Sequence, residues 1–221
     1  MDKVVFISSL QPDSNYSRDL CRSLVDNNVD LVVYAENDPR NLEVRDCGDV
    51  KLVWDKSSRS LLQIFIQILK DSPKKVHIQH EINMYGGVLT AVLFPVLLFF
   101  IKMTGAEITT TIHGVVPIKD LNSDFATFFT KNKLFSFIPL LKMVFYFIYK
   151  LTSVFSDKII VHTEMLKGSL HENYAVSPHK INVIPHGVPT IDSQKYKVAN
   201  QEKYFFYFGY IVKRKGLDNV V

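Results

Sequence analysis

Short runs of continuous apolar residues alternate along the chain with longer segments whose apolar positions recur every three or four residues. KVVFISS (3–9), DLVVYA (30–35), VKLVW (50–54), KVHIQ (75–79), AEITTTI (106–112), DKIIV (157–161), KINVI (180–184) and YFFYF (204–208) read as strands. Helices are expected at 14–28, where Tyr16, Leu20, Leu24 and Val25 share a face, and at 60–70, stopped by Asp71-Ser72-Pro73. Further helices are expected at 87–103, 135–155 and 164–174, and 114–133 reads as irregular. Strands that are apolar at nearly every position are buried on both faces, which calls for a parallel sheet with helices on each side. The pattern therefore predicts a doubly wound α/β domain over residues 1–188. A polar linker at 189–203 follows, and 204–221 reads as the opening βα fragment of a second such unit.

Composition narrows this picture without changing it. Of the 221 residues, 47% are hydrophobic and 22% charged, enough to build a sizeable core. The net charge of +4 is too small to imply nucleic acid. Cys21 and Cys47 lack metal or redox spacing and read as reduced cytosolic thiols. The apolar run after Met1 is too brief for a secretion signal. Residues 82–101 carry no charge, but Asn83, Gly86, Gly87, Thr90 and Pro95 interrupt them. A buried helix, kinked or broken near Pro95, is expected there rather than a membrane span.

Candidate chemistry lies in the histidines. His80, His113, His162 and His186 each fall at or just past the end of an expected strand. Ligands of open parallel sheets bind outside those carboxyl ends, so four titratable rings on one rim mark a candidate site. Strand-capping contacts are the plainer alternative for each of them. His77, His171 and His179 read as ordinary strand or surface residues. No metal is expected, because the four rings are far apart in sequence and His77 and His80 diverge on their strand. No GxGxxG, GxxxxGK[ST] or GxSxG motif occurs, which argues against NAD-dependent, P-loop and hydrolase chemistry.

Several segments, in order, carry a family resemblance: HIQHEINMYGG (77–87), TTTIHGVVP (109–117), DKIIVHTEMLK (157–167), NVIPHGV (182–188) and FGYIVKRKGLDNV (208–220). The chain resembles the GT-B glycosyltransferases of family 4. The resemblance implies a Rossmann-like N-terminal domain for the acceptor, followed by the doorway of a donor domain. It implies retaining transfer of a hexose from a nucleotide-diphosphate sugar to a glycan or lipid-linked acceptor in polysaccharide biosynthesis. No cofactor or bound metal is implied beyond the donor substrate.

Site roles follow from the resemblance residue by residue. His113 corresponds to the family's site histidine, which contacts the transferred sugar. Gly209 and Lys215 would bind the donor diphosphate, whose charge grows as the sugar bond breaks. A glycine turn, a lysine and a helix start suit that anion. Asn15, His80, Glu81, His162, His186 and Gly187 would line the donor–acceptor cleft, with Glu81 not assigned as a base. The sequence departs from the family at Tyr210, where arginine is usual, and at LQPDSNYS (10–17), where a Gly-Gly loop is usual. The paired glutamates of the donor domain are not in the sequence, so the 221-residue chain alone is expected to be inactive.

Lys142 and Lys150 punctuate the aromatic segment 135–155, and Lys131, Lys133 and Lys158 flank it. That pattern suits peripheral contact with the anionic inner face of the cell membrane by an otherwise cytoplasmic protein. A core helix with snorkelling lysines fits it equally. Two other functional readings remain open: a stand-alone glycan- or partner-binding domain, and another GT-B-like enzyme such as a sugar-nucleotide epimerase.

Overall fold

The computed structural model describes residues 3–10, 15–44, 46–130 and 136–187. In chain order these form β1 (Val4–Ile7), α1 (Asn15–Asp26), β2 (Leu31–Glu36), β3 (Asp49–Trp54), α2 (Ser60–Asp71), β4 (Lys75–His80) and α3 (Val88–Met103). Then follow β5 (Glu107–Ile112), α4 (Ser123–Phe129), α5 (Ile138–Phe155), β6 (Lys158–Val161), α6 (Glu164–Tyr174) and β7 (Ile181–Val183). Contact density sets a compact unit, Met1–Val188, apart from Pro189–Val221. The expected linker and the βα fragment at 204–221 lie outside the described residues.

The seven strands form one sheet in the order β3-β2-β1-β4-β5-β6-β7, and every pair is parallel. The chain reverses its direction of travel between β1 and β4, the kind of switch point beside which α/β proteins place their sites. The apolar runs explain the layering. All six residues of β2 are buried. Val5, Ile7, Tyr34, Ile78 and Ile108 meet Ile64 and Ile68 of α2 and Phe94, Leu98 and Ile101 of α3. Alternate residues Phe6, Val33 and Ala35 meet Cys21 and Leu20 of α1 on the opposite face. The β5–β7 end is buried by Leu141, Phe145 and Tyr149 of α5 and by Leu170 and Tyr174 of α6. A doubly wound α/β domain is thus what the sequence builds.

Asp157 ties this architecture together. Its Oδ2 accepts from the Ile108 amide at 2.8 Å, and its carboxylate pairs with Lys102 at 2.5 Å. One side chain thereby joins the end of α3 to the start of β5 and β6. Burial alone would raise the Asp157 pKa, but these contacts outweigh it and hold the carboxyl below its usual range.

Two expectations need correction. The segment expected to be irregular contains a 3-10 turn at Ile118–Asp120 and the helix α4. Asn122 caps α4 by accepting from the Phe125 amide at 2.9 Å, satisfying a donor that the first turn leaves free. Of the kink or break expected near Pro95, the break does not occur: α3 is continuous from Val88 to Met103. Proline removes one backbone donor, but Phe94, Leu97, Leu98 and Ile101 are buried around it and hold the helix in place.

Candidate active site

The site is built at the carboxyl ends of β5, β6 and β7, with the first turn of α1 above them. His113 directly follows β5, His162 directly follows β6, and His186 lies in the segment that leaves β7. The ligand nitrogens of these three rings all lie within 4.8 Å of one another. The Tyr16 ring of α1 lies nearly perpendicular to all of them, at centroid distances of 5.2, 5.4 and 4.7 Å. His162 is buried, His113 half-buried and His186 exposed. The cluster therefore runs from the sheet end out to solvent.

A hydrogen-bond chain fixes the inner rings. His162 Nδ1 donates to the Ile184 carbonyl at 2.9 Å. His162 Nε2 lies 3.1 Å from His113 Nδ1, and His113 Nε2 lies 2.5 Å from Gln79 Oε1. Gln79 continues inward through its amide nitrogen to His77 Nε2 at 3.3 Å, and that atom meets Thr111 Oγ1 at 2.8 Å. His186 stacks on His162 at 3.6 Å. Burial, followed by the proximity of His162, His186 and His77, pushes the His113 pKa down to about 4. Burial and then His162 lower His186 as well.

The remaining expected residues divide. Glu81 is exposed directly after β4, Asn15 opens α1, and Gly187 is exposed beside His186. His80 departs from its expected place in the cleft. It is 2% exposed, stacks on Phe94 at 3.9 Å, and neither ring nitrogen has a hydrogen-bond partner among the described residues. Its side chain points to the α3 side of the sheet because side chains alternate along β4, which turns Gln79 instead toward the histidines. Gly209 and Lys215 lie outside the described residues. A cavity of about 540 Å³ lined by Lys3, Lys51, Lys70 and Lys74 opens at the amino ends of the strands. It is remote from the histidine rim and carries none of its chemistry.

Residues 14–191 match the model of Glycosyltransferase Family 4. The chain belongs to Glycosyltransferase Family 4. Solved structures agree on the fold. HepE of Anabaena, solved in complex with UDP and glucose, is 12% identical with a TM-score of 0.54, over 87% of this chain and 48% of HepE. Its UDP-glucose complex gives 10% identity and a TM-score of 0.55, over 87% and 47% of the two chains. The glycotransferase of kitacinnamycin gives 10% and 0.50, over 93% of this chain and 55% of that one. This chain thus spans about half the length of these structures. No protein of curated function matches it.

Within this family 4 domain, Gln79, Tyr16 and His77 are site-linked residues that the sequence reading missed. Gln79 read as one more strand position and Tyr16 as part of a helix face. The signal for Gln79 was its place one residue short of a strand end, on the face opposite His80.

The buried rings also set how the domain responds to acid. Burial pushes His77 down to about 4; burial and then the proximity of His113 push His80 down to about 3. Both are neutral in the folded domain, whereas in the unfolded chain each takes up a proton below its ordinary pKa of about 6.5. The stability contributed by their neutral burial is therefore complete above pH 6.5 and is lost as pH falls toward 4 and below. For His77 alone the loss at pH 5 is on the order of 2 kcal/mol. Urea midpoints measured from pH 7.5 to 4.5 should fall steeply below pH 6.5. A flat profile would show that these rings take up protons in the folded domain as readily as in the unfolded chain.

Proposed function

We propose that the chain is the acceptor-side domain of a retaining glycosyltransferase. It transfers a hexose from a nucleotide-diphosphate sugar to a glycan or lipid-linked acceptor in polysaccharide biosynthesis. The observation that carries this reading is the convergence of His113, His162 and His186 on one rim of a family 4 fold. HepE is a fold neighbour solved with UDP and glucose, which supports a nucleotide-sugar donor.

In this reading the bond from the anomeric carbon to the diphosphate oxygen breaks and a bond to the acceptor hydroxyl oxygen forms on the same face. The hydroxyl proton passes to the departing diphosphate. The histidine rim forms the wall beside the transferred sugar. Gln79 and the Ile184 carbonyl fix the inner ring orientations before substrate arrives, so little reorganisation is needed during transfer. Gly209 and Lys215 would meet the diphosphate, as the resemblance implies. The test is transfer from candidate nucleotide sugars, read by product mass, on the protein as its gene encodes it. Hydrolysis alone, or epimerised donor without transfer, would overturn the reading.

A lipid-linked acceptor gives membrane contact a purpose, and the surface offers a face for it. Leu89, Leu93, Val96, Phe99, Phe100 and Met103 of α3 are exposed, and Phe147 and Val154 are exposed on the adjacent α5. Helix α5 is long and apolar enough to cross a membrane, yet it buries Leu141, Phe145 and Tyr149 against the sheet. Lys150 is bonded to the Ala175 carbonyl and Lys158 to Glu107, so these two lysines serve the fold. We place the proposed contact on the apolar α3 face, which suits insertion at an interface. The protein should sediment with anionic vesicles, and Phe99→Asp with Phe100→Asp should reduce the bound fraction severalfold. Equal supernatant recovery with and without vesicles would contradict the membrane contact.

A further inference from the structure

We propose that His113, His162 and His186 form a binding site for one divalent transition-metal ion, with zinc fitting the donor set best. Two ring nitrogens of the rim face each other. His162 Nδ1 is next to a backbone carbonyl, Ile184 O at 2.9 Å, and a carbonyl only accepts. In neutral His162 the proton is therefore on Nδ1, and Nε2 carries a lone pair. His113 Nε2 faces Gln79 Oε1 at 2.5 Å, again an acceptor, so in neutral His113 the proton is on Nε2 and the lone pair on Nδ1. These two lone-pair atoms lie 3.1 Å apart. With the side chains so oriented, a cation between or beside them relieves the repulsion of the two lone pairs.

A metal ion satisfies every partner at once. Histidine ligands to metals donate their second ring N–H to a carbonyl or carboxylate, which fixes the tautomer and the ring orientation. Ile184 O and Gln79 Oε1 occupy those outer positions. Zinc binds imidazole at about 2.0–2.1 Å, so tetrahedral ligands sit about 3.3–3.4 Å apart. The 3.1 Å between His113 and His162 is already close to that spacing. The third ring, His186, brings its ligand atom within 4.8 Å of the others. It is exposed and stacked on His162, so it turns out of the stack and closes by about 1.5 Å to complete the set. Three neutral imidazoles favour a borderline transition metal over magnesium or calcium. The fourth position is left to water or to an anionic oxygen from the solvent side, and the Tyr16 ring shields the cluster.

This departs from the metal-free expectation that the family resemblance brought. The rival is that Gln79 is turned over, with its amide nitrogen donating to His113 Nε2. His113 would then donate through Nδ1 to His162, and the cluster would be complete without an ion.

The test is calorimetric titration of zinc chloride into the chelator-treated protein, with cobalt(II) absorption as a second readout. We expect one equivalent to bind, and cobalt to give the intense visible bands of a four-coordinate site. His186→Ala, at an exposed position that leaves the core untouched, should weaken zinc binding at least tenfold. His162→Gln should abolish it, and His171→Ala should leave it unchanged. Absence of stoichiometric zinc binding overturns the proposal. So does binding that survives both His186→Ala and His162→Gln, or that is lost in His171→Ala.

Discussion

Replacing His113 with alanine is expected to lower transfer from a nucleotide sugar by roughly a hundredfold, the scale of losing one preorganised hydrogen-bonding group at a reacting centre. His113 is the middle member of the rim: it links Gln79 at the sheet end to His162 and lies within ring contact of Tyr16 and His186. Its removal deletes the proposed sugar contact and also frees His162 to reorient. The fold should persist, since His113 is half-buried and just outside its strand. Stability should nonetheless fall by about 1–3 kcal/mol, because Gln79 Oε1 is left without its donor. Kinetics measured well below the melting temperature separate the two effects. Undiminished transfer in the His113→Ala variant would remove His113 from the site.

Phe94→Ala is expected to cost roughly 3–5 kcal/mol of stability, the range for emptying a buried aromatic site. Phe94 is fully buried in α3. Its ring stacks on His80 at 3.9 Å and lies parallel to Tyr85 at 5.9 Å. Tyr85 in turn packs on Trp54 and donates its hydroxyl proton to the Gln79 carbonyl at 2.5 Å. This aromatic column joins the core to the strand position that orients His113. The substitution should therefore lower the urea midpoint and also loosen the histidine rim. If water enters the vacated space and reaches the unpartnered nitrogens of His80, the loss will fall at the lower end of the range. A loss under about 1 kcal/mol would show that the column does not hold up the end of β4.

The sheet was legible in the sequence because strands of a parallel sheet are covered on both faces and so are apolar at most positions. VVFI, LVVYAE and KIIV announce themselves by continuity alone. Helix α4 was not legible: SDFATFF is too short to show a period, and its decisive signal is the single cap at Asn122. At Pro95 the break that the local rule allows is overridden by burial of the residues around it. The rim was visible as a set of histidines after strands, but which of them meet depends on side-chain alternation. His80 and Gln79 are adjacent in sequence and end on opposite faces of the sheet. The closeness of His113 and His162, 49 residues apart, is set by strands β5 and β6 lying side by side, and no local spacing encodes it.

The proposed transfer requires substrate to meet the histidine rim. The measurement is a nuclear magnetic resonance titration of the imidazole signals, in the protein as its gene encodes it, with nucleotide sugar and glycan acceptor. Saturable shifts in His113, His162 and His186, with His171 and His179 unmoved, are the predicted result. Transfer that proceeds while those three signals stay fixed would contradict it.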